Sequence, residues 1–232
     1  MKYKILLSLF FSLAQIFLGL SQLQKHVLIF SPTFGNSELH LNDAYYRIGK
    51  NDSIQLETVK LYISNIEFLH KDSVVWREKN SFHLLNVSDA NSLTISLDIP
   101  ASIEYSHLAF NIGIDSITNV SGALGGDLDP TNGMYWTWQS GYINMKIEGK
   151  SNLCQTRNNE FQFHLGGYQN QDNALNKVFL RLSGKNKMSY IQIDIEKWLK
   201  SVDLSKQNHI MSPGQDAVLL SGKLIKMFTV TK

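Results

Sequence analysis

Cysteine is almost missing from this chain. Cys154 stands alone, so no disulfide can form within the chain. The fold must be held by its core, and the chain is long enough to bury one. The thiol reads as a small buried hydrophobe, with a metal ligand or a dimer bridge as its other uses. Proline is scarce, with 4 residues, and no Pro-rich or low-complexity linker divides the chain. No internal repeat is found either, which argues for one domain. An excess of one charge sign is also absent: 22 basic residues face 20 acidic ones. Without Lys2 and Lys4 the two signs balance. That excludes electrostatic capture of nucleic acid or of an anionic membrane. Gly-x-Ser-x-Gly, His-Glu-x-x-His and phosphate-cradling glycine loops are all missing. No nucleophile and base stand at a supporting spacing, so the chain reads as a binding protein and not an enzyme.

Long apolar runs are missing after residue 21, and nothing there could span a bilayer as a helix. Before it, Lys2 and Lys4 precede an apolar stretch at residues 5–20, and Gly19-Leu20-Ser21 offers small residues for cleavage. This is the pattern of a secretory signal peptide at residues 1–21. No cysteine ends the run, so no lipoprotein anchor is expected. The expectation is an exported protein, periplasmic or at the cell surface, with residues 22–232 as its domain.

Alternation dominates what remains. Residues 27–30, 55–69, 81–87, 93–99, 107–114, 135–147, 160–165, 177–183, 189–195 and 217–227 read as strands, with turn residues between them. Roughly ten short strands at this spacing predict an all-β, single-domain, Greek-key-like β-sandwich. Short helices are expected at most, at residues 195–200 and 43–48. Residues 116–133 (SITNVSGALGGDLDPTNG) break the rhythm as one long loop, and such loops are commonly functional.

That loop leads into the densest aromatic stretch, Met134-Tyr135-Trp136-Thr137-Trp138-Gln139-Ser140-Gly141-Tyr142, which holds two of the 4 tryptophans. On an extended strand Met134, Trp136, Trp138 and Tyr142 share one face. Such a face is either a core plug or a gathering of oxidisable side chains; taken alone, the core is the commoner use. One strand later comes Phe161-Gln162-Phe163-His164-Leu165-Gly166-Gly167, with His164 at a strand end before two glycines. A lone histidine of this kind is a structural residue unless other elements bring it partners. Asp115, Asp127 and Asp129 offer a calcium alternative. Their spacing is not that of an EF-hand, and Asp-Pro and Asn-Gly also mark ordinary turns.

Taken in order, these pieces resemble the exported copper-binding proteins typified by MbnP of methanobactin gene clusters and by the copper-repressible surface proteins of methane-oxidising bacteria. The resemblance rests on residues 27–42 (VLIFSPTFGNSELHLN), 58–69 (TVKLYISNIEFL) and 108–119 (LAFNIGIDSITN). It rests most strongly on residues 134–149 (MYWTWQSGYINMKIEG) and 161–166 (FQFHLG). It implies a β-sandwich that binds copper, as Cu(I), through histidine and through kynurenine made from a tryptophan. A di-haem partner enzyme of the MauG/MbnH type carries out that oxidation. Trp136 or Trp138 is then the modified residue and His164 the histidine ligand, with His40 and then His83 as candidates for a second. The cysteines that follow H-L-G in methanotroph members are not present here. Copper accepts imidazole, and Cu(I) also accepts a thioether such as Met134.

Two other readings use the same residues. Tyr135, Trp136, Trp138 and Tyr142 could form a stacking platform in a carbohydrate- or surface-binding module. The chain could also be a structural envelope protein with no small-molecule site.

Overall fold

Seventeen residues, Ile54–His70, form one strand, and the rest of the sandwich is arranged around it. The computed structural model describes residues 22–182 and 186–231. The signal-peptide reading at residues 1–21 lies outside the described residues. In chain order the elements are β1 (Leu23–Phe34), β2 (Ser37–Glu38), β3 (Ile54–His70), β4 (Ser73–Arg77), β5 (Phe82–Asn86), β6 (Thr94–Pro100) and β7 (His107–Ile112). Then come α1 (Ser116–Val120), β8 (Tyr135–Trp136), β9 (Gly141–Ser151), β10 (Glu160–Gly166), β11 (Asn176–Arg181) and β12 (Met188–Asp194). The chain closes with α2 (Ile195–Leu199), β13 (His209–Ile210), α3 (Gln215–Ser221) and β14 (Phe228–Thr231).

Two mixed sheets pack face to face. The smaller runs β14-β12-β1-β2, with β6 also on β1; the larger runs β11-β7-β3-β9-β10-β13. In the larger sheet β4 and β5 also pair with β3, and β8 pairs with β9. Alternation decides which side chains enter the core between them. Val59, Leu61 and Ile63 of β3, Met145 and Ile147 of β9, and Phe161, Phe163 and Leu165 of β10 meet Leu28, Phe30, Leu97, Ile191 and Ile193. Trp198 of α2 closes one end, edge-on to Phe163 at 5.2 Å. Its indole N–H is satisfied by the Leu220 carbonyl at 3.0 Å. Cys154 is buried in this core, as the sequence suggests for an unpaired thiol, and burial raises its pKa.

The all-β sandwich is as expected, but four local readings are corrected. Residues 217–227 are not a strand: α3 and a 3₁₀ turn at Leu224–Met227 occupy them, burying Ala217, Leu220, Leu224 and Met227 at helical spacing. Residues 43–48 form no helix, and Tyr46 makes an isolated bridge to Ile54 instead. Residues 116–133 are not one bare loop but hold α1 and two 3₁₀ turns, Gly126–Leu128 and Pro130–Asn132. Residues 135–147 are not one strand either. A four-residue turn separates β8 from β9, so that Trp136 pairs with Gly141 and Tyr135 with Tyr142.

Two buried polar groups fasten the sheets. Glu67 follows a bulge in β3, where its carboxylate takes Arg77 of β4 and Lys177 of β11 at 2.5 Å each. Burial pushes its pKa up, and these two hydrogen-bonded cations pull it below the ordinary carboxylate value. His26 of β1 bridges Ser189 and Tyr105, each at 3.0 Å. Desolvation by burial lowers its pKa to about 4. An unfolded chain binds a proton at this histidine below about 6.5, whereas the folded chain binds one only near its lowered value. The neutral ring therefore stabilises the fold fully above pH 6.5, and that contribution is lost as pH falls toward 4. Thermal melts of wild type and His26→Gln across this window should diverge, with wild type losing about 2–3 kcal/mol more than the variant on acidification. Parallel pH profiles for the two chains would contradict this role.

Candidate functional site

The outer face of the larger sheet would be open to water if residues 113–133 did not fold back over it. Side chains of β3, β9 and β10 alternate, so Thr58, Lys60 and Tyr62, Lys146 and Glu148, and Gln162 and His164 point outward. These outward groups hold the loop by its backbone carbonyls. Tyr62 Oη donates to Asp127 O at 2.9 Å, and Tyr142 Oη donates to Leu128 O at 3.1 Å while accepting from Leu124 N at 2.9 Å. Lys60 Nζ reaches Asn132 O at 3.0 Å and Lys146 Nζ reaches Gly133 O at 3.1 Å. Asn119 of α1 is buried; its Oδ1 accepts from Tyr142 N at 2.7 Å, and its Nδ2 donates to Ile114 O at 2.9 Å. Burial raises the pKa of both Tyr62 and Tyr142, so both phenols stay neutral donors.

A second, smaller hydrophobic core forms beneath the loop. Tyr62, Ile114, Leu128, Met134, Trp136, Tyr142 and Ile143 make it up. β9 carries one extra residue here, Asn144, which leaves the ladder between the partners of Leu165 and Gly166. Asn144 Oδ1 accepts from Ile114 N at 3.1 Å, so the bulge also anchors the start of the loop. Bulges of this kind re-aim side chains beside sites.

The hairpin turn parts the two tryptophans. Trp136 is 5% exposed and belongs to the small core, whereas Trp138, in the turn, is 66% exposed. The shared-face reading of Met134, Trp136, Trp138 and Tyr142 is thereby corrected, because a turn and not a strand joins Trp136 to Tyr142. The rings still touch, with centroids 6.2 Å apart and planes at 54°. Trp136 lies over Gly166: a Cβ added there would sit 2.8 Å from Trp136 Cζ3 and 2.6 Å from the Tyr142 carbonyl oxygen. Trp136 Nε1 is buried with no hydrogen-bond partner. Leaving such a donor unmet costs about 1–3 kcal/mol, and an orphan of this kind calls for an explanation.

His164 is on the same face. It alternates with Gly166 along β10, which places the imidazole about 7 Å along the strand from the residue that Trp136 covers. The ring is buried, and its Nε2 is bonded to Glu148 Oε1 at 2.7 Å. Lys146 Nζ stands 3.8 Å from the same oxygen. The Glu148 pKa is held down at about 2, first by the His164 hydrogen bond, against desolvation, and then by the Lys146 charge and a hydrogen bond from Thr58. A carboxylate on one ring nitrogen fixes the tautomer and orientation of the imidazole and leaves the other nitrogen, Nδ1, to coordinate.

Other candidates lie elsewhere. His40 is exposed beyond β2, with Glu38 4.0 Å away. His83 pairs with Ile63 and so faces the opposite side of the sheet from His164; its Nε2 meets Glu78 at 2.8 Å. Asp115 caps α1 through Thr118, Asp127 accepts from Leu84 N, and Asp129 caps the second 3₁₀ turn through Thr131. No group of three or more His, Cys, Asp or Glu side chains suited to a metal occurs among the described residues. The four-ring stacking platform is not available on this surface, since Trp136 and Tyr142 are buried. Glu148 and Lys146 were missed by motif reading. Their signal is the alternation in Ile143-Asn144-Met145-Lys146-Ile147-Glu148, which puts both on one face. His209 was missed too. It pairs with Gln162 and therefore shares the His164 face, through a parallel register no local pattern encodes.

The MbnP family model matches residues 24–212. Among solved structures the chain is similar to MbnP from Methylosinus trichosporium, at 17% identity and a TM-score of 0.60, covering 79% of this chain and 80% of that one. That likeness is one of fold. No curated protein matches the chain. No helix among the described residues is long and apolar enough to cross a membrane.

The contact over Gly166 is directly testable. Gly166→Ala should displace the Trp136 ring and alter the near-ultraviolet circular dichroism of the tryptophans, and it should also lower the melting temperature, since the new Cβ meets the Tyr142 carbonyl of β9 as well. Identical near-ultraviolet spectra would show that the ring does not lie there.

Proposed function

The chain belongs to the MbnP family, and from that premise we propose that it is an exported copper-binding protein whose site is completed by oxidation of Trp136. Copper in the Cu(I) state would be held by His164 and by the aromatic amine of a kynurenine. A di-haem enzyme of the MauG/MbnH type would make that kynurenine. The observation that carries the reading is the buried Trp136 Nε1 without a partner, on the sheet face where Glu148 orients His164. An indole nitrogen cannot ligate, because its lone pair belongs to the aromatic ring. Oxidative opening of the five-membered ring, followed by hydrolytic loss of the former C2 as formate, turns that same nitrogen into a primary amine with a free lone pair. The atom that would become the ligand is therefore one that the fold leaves unmet.

The residues present suit a soft, low-coordinate cation. His164 offers Nδ1, and Met134 is buried with Trp136 in the small core. Copper, when bound, would supply soft-metal coordination or single-electron chemistry. The protein's own part is orientation and exclusion of water. Glu148 holds the imidazole, the loop over Tyr62 and Tyr142 seals the core, and Gly166 makes room for the ring. Of the two tryptophans, Trp136 suits a ligand, since Trp138 points into solvent.

The test is competitive Cu(I) titration, without oxygen, of chain made with and without the di-haem enzyme. Kynurenine-containing chain should bind copper, and unmodified chain should bind far more weakly. His164→Ala should abolish binding, and Glu148→Gln should weaken it roughly 10- to 100-fold, as is usual for the partner of a ligating histidine. Equal affinity in all four would overturn the reading.

A further inference from the structure

Trp138 has no part in either core, yet it is held against Trp136 with ring centroids 6.2 Å apart. A tryptophan 66% exposed at a hairpin tip is an unusual use of the residue. The surface around it is unusual too. Three stretches without a charged residue meet there, residues 116–126, 134–145 and 165–171, in a chain that is 18% charged. Hydrogen bonds tie them together. Ser116 Oγ donates to Tyr168 O at 2.8 Å, Tyr168 Oη to Ser140 O at 3.5 Å, and Tyr142 N to Asn119 Oδ1 at 2.7 Å. From the first stretch, Ile117 and Val120 project from one side of α1, 85% and 74% exposed. An exposed aromatic on a stretch tied to two others that lack charge, with exposed apolar side chains on α1, matches the composition of an interface core.

We propose that Trp138 is an electron port: a haem redox protein docks on this uncharged face and oxidises Trp136 through Trp138. The inference rests on the proposed function above and adds the route and the docking face. In each cycle the peroxide-charged haem of the partner takes one electron from the Trp138 indole and is itself reduced by one. The Trp138 radical cation then takes one electron from Trp136 across the ring contact and is restored, leaving the radical cation on Trp136. No proton moves in this step, since Trp136 Nε1 has no acceptor within hydrogen-bond distance. Transfer between the rings is reversible, and irreversible ring chemistry at Trp136 draws it forward. Because Trp136 is buried, a bulky oxidant reaches it only across intervening protein, and Trp138 divides that distance into two shorter transfers.

The relay is tested with a photogenerated ruthenium(III) tris-bipyridine oxidant, which is too large to reach the small core. Oxidation at each tryptophan is read by peptide mass spectrometry. In wild type Trp136 should be oxidised. In Trp138→Phe its oxidation should fall by an order of magnitude, and in Trp138→Tyr, whose phenol can be oxidised, it should recover. Near-ultraviolet circular dichroism checks that the hairpin is intact in each chain. Oxidation of Trp136 at an undiminished rate in Trp138→Phe, or none in wild type, would overturn the relay. The docking face is tested with an Ile117→Lys, Val120→Lys double variant. It should keep ruthenium-driven oxidation and lose oxidation by the peroxide-charged di-haem partner; unchanged oxidation by that partner would overturn the docking assignment. Copper affinity of already modified chain reports on the metal site alone, so failure of the relay and failure of the copper reading are told apart.

Discussion

Everything at the candidate site depends on how the outer face of the larger sheet is covered. A sheet face under a loop needs partners for the loop's backbone, because buried carbonyls and amides cannot be left bare. Here the sheet's own outward side chains supply them. Tyr62 and Tyr142 meet carbonyls of the first 3₁₀ turn, and Lys60 and Lys146 meet those at the end of the second. Asn119 closes the other side by joining α1 to the first residues of β9. The tyrosines serve twice, since their rings also build the small core, with centroids 5.9 Å apart and planes at 89°. Polar tips and apolar bodies thus allow one set of residues to dry the site and to hold its lid.

Within that dry space Asn144 Nδ2 lacks a partner, and two further groups depart from ordinary packing. Trp136 Nε1 has no partner, and Gly166 has no side chain because the indole occupies its place. Next to them His164 is held by Glu148, whose charge is stabilised by Lys146. A purely structural core would favour a satisfied indole or a Phe. The combination of an oriented imidazole, an unmet indole nitrogen and an exposed second indole supports a site that is finished by oxidation and then used for metal.

Much of the fold was legible in the sequence because alternation is a local signal. The strands from residues 55 to 69 and 160 to 165 follow from it, and the burial of Cys154 follows from its being an unpaired thiol. The helix at Ile195–Leu199 was legible as well. What was not legible depends on contacts distant in sequence. Residues 217–227 are apolar enough to pass for a strand, although Ala217, Leu220, Leu224 and Met227 recur at helical spacing. The hairpin between Trp136 and Gly141 was hidden because the apolar and aromatic residues on both sides of it read as one continuous strand, although Ser140-Gly141 is a turn dipeptide and Ser140 takes the positive φ, at 50°. His164 could be singled out from its glycines, but its partner Glu148 becomes visible only once β9 and β10 are in register. His209 depends on a parallel pairing between segments far apart in the chain. His40 was drawn in because it falls in a segment that resembles the family, with His83 behind it; His40 is exposed beyond β2 of the other sheet, and His83 faces the opposite side of the sheet from His164.

The central claim is that one buried tryptophan, beside His164, is converted into a copper ligand. The most direct measurement is peptide mass spectrometry of copper-loaded protein isolated from its native host. The expected result is the mass of kynurenine at Trp136 and unaltered tryptophan at Trp138. Copper-loaded protein with Trp136 intact would contradict it.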